Sequence, residues 1–118
     1  MKIEFAYEMD GVDVAYEELV SARGYEAVAA DKLARAKYEL EEARAKALAG
    51  GQVEAKNEAT REALLRELLA EWYEHLYQAE LQLRERRHAA EIAQLEVDRV
   101  RLRVRLMELA AGQERVAA

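Results

Sequence analysis

The chain contains no cysteine and no proline. Without cysteine there is neither a disulfide framework nor a thiolate metal site, which suits a reducing compartment. Without proline, nothing in the chain forces a helix to stop. Glycine occurs five times and aromatic residues make up 7%, while Ala, Leu, Glu and Arg dominate, the composition of a helix-rich chain. No stretch approaches the ~18 uninterrupted apolar residues of a membrane-spanning helix. The opening Met1-Lys2-Ile3-Glu4-Phe5 is not that of a secretory signal. The expectation is a soluble, cytoplasmic protein with no membrane partner.

Nor does either sign of charge dominate throughout. The net charge is −6, but it is unevenly spread. Residues 1–20 carry one Lys against six acidic groups, whereas residues 84–118 carry eight basic against six acidic ones. This distribution argues against uniform polyanion mimicry and against strong nucleic-acid binding by net charge alone.

What the chain does have is helical periodicity. From Asn57 to Ala111 no Gly or Pro interrupts it. Leu69, Trp72, Leu76, Ala79, Leu83, Arg86, Ala90, Ala93, Val97, Val100, Val104, Met107 and Ala111 recur at alternating steps of three and four, the register of a helix packed along another helix. Asn57 is placed to cap the start and Gly112 the end. The spacing therefore predicts one long helix over 57–112. An earlier helix is predicted over 14–49, with Asp13 as its cap and a seam of Ala29, Leu33, Ala36, Leu40, Ala43 and Ala47. Gly24 weakens its first turns and is a candidate bend. The link, residues 50–56, opens with Gly50-Gly51, and so short a link favours an antiparallel hairpin.

Residues 1–12 follow another rhythm. Ile3, Phe5, Tyr7 and Met9 alternate with polar or small residues, and Asp10-Gly11 is a hairpin-turn pair. A β-strand or small β-hairpin is expected there, docked on the helices because alone it is marginally stable. The fold expected is all-α, a coiled-coil-like antiparallel helical hairpin with this β arm, in a single domain of 118 residues ending in a tail at 113–118.

Helix length then predicts assembly. At 1.5 Å per residue the two helices would measure about 54 and about 83 Å. The last part of the longer one is left without an intrachain partner. Its residues are strongly apolar, with one stripe of Val97, Val100, Val104 and Met107 and another of Ile92, Leu95, Leu102, Leu106 and Leu109. These residues form the predicted oligomer interface, with a homodimer favoured. The alternatives are a higher oligomer or a three-helix monomer kinked between Arg86 and His88.

Candidate chemistry is sparse. His75 and His88 are the only histidines. His88-x-x-Glu91 has half the spacing of a carboxylate-bridged metal site, but the second Glu-x-x-His pair is missing. Glu71 and His75, four apart, are ordinary helix-surface neighbours. The expectation is no metal, no cofactor, no catalytic residue and no enzyme. Tyr73 and Tyr77 are candidate partner contacts, while Trp72 belongs to the seam. Arg99, Arg101, Arg103 and Arg105 are candidate phosphate contacts, although Glu85, Glu91, Glu96, Asp98 and Glu108 lie along the tract that these form with Arg84, Arg86 and Arg87 and favour ion-pair ladders.

The run Lys56-Asn57-Glu58-Ala59-Thr60-Arg61-Glu62-Ala63 resembles the Asn-Glu-x-x-Arg element that opens the second helix in small helical-hairpin proteins of bacteriophage and prophage early regions, often encoded near single-strand annealing recombinases. In pattern the resemblance covers residues 30–110, and in identity these eight. It implies a non-enzymatic accessory protein of phage DNA metabolism. The function expected is accordingly a protein-interaction or accessory module working through an unidentified protein partner. Nucleic-acid binding by the arginine-bearing end of the long helix is the alternative.

Overall fold

The computed structural model describes the backbone of residues 2–51, 53 and 57–117, and the side chains of residues 10–51, 53 and 57–113. Three helices follow one another: α1 (Lys2–Ala49), α2 (Glu58–Leu68) and α3 (Ala70–Ala117). The described residues contain no strand, and none of their helices is long and apolar enough to cross a membrane. The chain divides into two compact units, one of residues 27–85 and one made by Met1–Glu26 with Arg86–Ala118.

The unit of residues 27–85 holds the chain reversal. Helix α1 ends at Ala49, where the Gly50 amide donates to Lys46 O at 2.9 Å and the Gly51 amide to Leu48 O at 3.3 Å. Gly51 has φ +67°, the left-handed region that a side chain resists. Asn57 then caps α2 as its spacing predicted, its side-chain oxygen accepting the Thr60 amide at 2.8 Å. Leu40, Ala47, Val53, Leu65 and Leu69 form the core, flanked by Ala43, Tyr73 and Leu76. Every member of the predicted α1 seam, Ala29 to Ala47, is buried or half-buried.

One long helix over 57–112 was expected, but α2 and α3 are separate. Leu69 lies between them at φ −104°, ψ 27°, outside the α region. Its amide still reaches Leu65 O at 2.8 Å and its carbonyl accepts the Tyr73 amide at 3.1 Å. The step is a local loosening, and Leu69 keeps its side chain in the core. Leu68, Leu69 and Ala70 are strong helix formers, so no local signal marks it. The helix also runs through Gly112 to Ala117. A single glycine costs a helix only ~1 kcal/mol against alanine, and the predicted stop and tail are not observed up to that point.

The other unit corrects the N-terminal expectation. Residues 2–12 are helix, continuous with the rest of α1. There is no β arm, no turn at Asp10-Gly11 and no cap at Asp13, which is interior to the helix. The reason is tertiary. Ala15 is buried in a cluster with Val97 and Val100, against which Val12 and Leu19 pack. A two-residue turn at Asp10-Gly11 would have pulled Val12 and Ala15 out of this spacing. The far end of α3 therefore has an intrachain partner, contrary to the expectation from helix lengths.

Arg86, the one polar member of the α3 seam, is half-buried. Its guanidinium lies 4.7 Å from the centre of the Tyr25 ring. A cation on an aromatic face is attracted by the ring quadrupole while its stem packs as hydrocarbon, so a charge is accommodated at a seam position.

Candidate functional site

The two apolar stripes predicted on α3 have different fates. Val97 and Val100 are buried in the cluster with Ala15, Val104 is also buried, and Met107 is half-buried. Ile92, Leu95, Leu102, Leu106 and Leu109 are exposed by 54 to 68%. At about 100° per residue the second stripe lies roughly 160° round the helix from the first. Helix α3 is thus apolar on two nearly opposite faces in this stretch, and only one of them is covered. An assignment of both stripes to one oligomer interface is corrected for the valines, which belong to the core of the monomer.

The exposed stripe is itself a heptad seam. Ile92, Leu95, Arg99, Leu102, Leu106 and Leu109 recur at steps of three and four, with Arg99 its single polar position. That arginine is held along the helix by Glu96, Nε donating to Oε2 at 3.0 Å and Nη2 to Oε1 at 2.7 Å. The Arg99 hydrogen bonds, aided by the charges of Arg99 and Arg103, hold the Glu96 carboxyl below its usual range. Next to it Asp98 accepts from the Gln94 amide at 3.1 Å.

Arg101, Arg103 and Arg105 are exposed. They do not form a uniform basic stripe. Arg99 and Arg103 line a shallow groove shared with the carboxylates of Asp10, Glu18 and Glu96, and Arg101 and Arg105 line another with Glu108. Acidic residues of α1 thus enter the neighbourhood of the arginines, an encounter that a separate β arm over residues 1–12 does not imply.

In the unit of residues 27–85, the aromatic assignments exchange places. Trp72, expected in the seam, is 40% exposed. Tyr73, expected as a partner contact, packs against the core and its hydroxyl oxygen accepts from Arg44 Nη1 at 2.5 Å. Arg66 lies 5.3 Å from the Tyr73 ring centre. Arg44 also donates from Nη1 and Nη2 to the Glu62 carboxylate, at 3.0 and 2.5 Å. The Glu62 carboxyl is held low chiefly by this pairing, and the Arg44 guanidinium is pushed above its ordinary value. Arg44 therefore ties α1 to both α2 and α3. Tyr77 is exposed and stays available to a partner.

A groove of about 640 Å³ in this unit is lined by Lys32, Arg35, Glu39, His75, Gln82 and Glu85, among others. It brings the basic Lys32 and Arg35 near the acidic Glu39 and Glu85 along open helix surfaces. Among the described residues no three His, Asp or Glu side chains come together as a metal site. His88 and Glu91 are both exposed.

No protein-family model matches this chain, and comparisons with curated proteins and with solved structures likewise find no match.

Proposed function

We propose that this protein is a non-enzymatic interaction module whose working surface is the leucine seam of α3. The observation that carries this reading is the exposure of Ile92, Leu95, Leu102, Leu106 and Leu109 on one face, while the opposite face of the same stretch is buried. A helix of a finished monomer needs one apolar face, and a contiguous second one marks a contact surface. The Asn-Glu-x-x-Arg resemblance at Asn57 to Arg61 adds an accessory role in bacteriophage DNA metabolism, exercised in the cytoplasm through protein contacts with DNA-processing machinery.

Nucleic-acid binding by Arg101, Arg103 and Arg105 is the second reading, favoured by their exposure. The carboxylates of Asp10, Glu18, Glu96 and Glu108 in the adjoining grooves oppose it, because each would repel the phosphates that the arginines attract.

A photo-crosslinking side chain at Leu102 and, separately, at Arg101, introduced in cells of the source organism, tests the assignment. The expected result is a protein crosslink from position 102 and no nucleic-acid crosslink from 101. Nucleic acid captured from 101, with no protein captured from 102, would overturn it.

A further inference from the structure

The interaction reading leaves the occupant of the leucine seam open, and the charges flanking that seam select one. In heptad terms Ile92, Arg99 and Leu106 alternate with Leu95, Leu102 and Leu109. The positions bordering the seam are Glu91, Asp98 and Arg105 on one side, and Glu96, Arg103 and Ala110 on the other. The borders are thus acidic in their N-terminal half and basic in their C-terminal half. A helix with this polarity complements itself only when reversed.

Resting on that interaction reading, we propose that the seam is occupied by a second copy of this chain, antiparallel, with the dyad between positions 100 and 101. Ile92 then meets Leu109 of the mate, Leu95 meets Leu106, and Arg99 meets Leu102. The borders meet as Glu96 with Arg103 and Asp98 with Arg105, each twice by symmetry. A parallel pairing would instead set Glu91 against Glu96 twice, offset only by Asp98 with Arg103. Facing charges of this kind set orientation in paired helices, and one polar residue within the seam sets register. Arg99 fills that place. Its guanidinium already lies along its own helix on Glu96, so its aliphatic stem can cover the seam while the charge stays paired.

Sedimentation equilibrium at low salt over a micromolar dilution series, with helicity followed by circular dichroism, tests the pairing. The native chain is expected to be a dimer. Glu96→Arg turns both symmetry-related contacts with Arg103 into repulsions between like charges and should weaken dimerisation about tenfold, while Glu96→Arg with Arg103→Glu restores the opposition and should return within about threefold of native. In a parallel dimer Glu96→Arg would relieve the Glu91 contact and tighten association, which would overturn the orientation. An unchanged dissociation constant, or a double variant no better than the single one, would overturn the register. Leu102→Glu should give a helical monomer; should it fail to fold, the charge exchange still decides. A native chain monomeric throughout, whose position 102 nevertheless crosslinks to another protein, would overturn self-pairing and leave the interaction reading intact. Loss of both the dimer and the crosslink would overturn the two together.

Discussion

Arg44 holds the Glu62 carboxylate with both of its terminal nitrogens, at 3.0 and 2.5 Å, and so fastens the end of α1 to the start of the chain's return. A fork-to-carboxylate pair of this geometry adds direction as well as charge. Nη1 also reaches the Tyr73 hydroxyl, which turns that ring into the core and leaves Trp72 outside.

The pair makes a pH prediction. The Glu62 carboxyl is lowered in the folded chain, chiefly by its hydrogen bonds from Arg44. A group held low when folded contributes stability that is present above its unfolded value, about 4.3, and is lost as pH falls through the lowered folded value. Glu62→Gln should therefore reduce the melting temperature at pH 7 and narrow its fall as the pH drops below about 5. Thermal melts across this range check it; parallel acid limbs for native and variant would contradict the assignment.

The glycines separate helix from turn. Gly11 lies inside α1 with nothing within 4 Å of the place its Cβ would occupy, so Gly11→Ala should stabilise by about 0.5–1 kcal/mol. Gly51, at φ +67°, should respond oppositely, Gly51→Ala costing about 1–2 kcal/mol. Denaturant unfolding of the two variants measures both. A destabilising Gly11→Ala would reinstate the Asp10-Gly11 turn.

The two stripes of α3 make a paired prediction. Val100→Glu places a charge among Ala15, Val97 and their neighbours and should destabilise by about 3 kcal/mol or more. Leu102, two positions on and 58% exposed, should tolerate Leu102→Glu with its helicity kept. Circular dichroism of both at equal concentration discriminates. Equal loss of helicity would show that the leucine face is also part of the monomer core.

What could be read in advance followed from local spacing. The Ala29 to Ala47 seam, the Asn57 cap and the Gly50-Gly51 reversal each depend on residues within a few turns of one another. What could not be read depended on distant partners. Ile3 to Met9 alternate as a strand does, and only the packing of Val12, Ala15 and Leu19 on Val97 and Val100 selects a helix. Trp72 and Tyr73 fit a three-four or a four-three step from Leu69 to Leu76 equally well, and the choice follows Arg44, 29 residues away. On α3, periodicity revealed both apolar stripes, but not which one α1 would cover.

The arginines yield the last prediction. If Arg101, Arg103 and Arg105 gripped phosphates, affinity for DNA or RNA would fall steeply with salt, because each neutralised phosphate releases counterions. Their setting argues against this. Arg99 is paired to Glu96, Asp10 and Glu18 line the groove of Arg99 and Arg103, and the net charge is −6. At ~150 mM salt the Debye length is about 8 Å, so three arginines flanked by carboxylates in the adjoining grooves present little net field to an approaching duplex. Electrophoretic shifts with single- and double-stranded DNA and RNA at that salt should show no sub-micromolar complex for the native chain or for Arg101→Glu with Arg105→Glu, and Arg101→Glu alone, which lies off the borders of the seam, should leave a protein crosslink from Leu102 in place. Sub-micromolar binding abolished by the double variant would overturn the protein-contact reading and make the arginine tract the functional site.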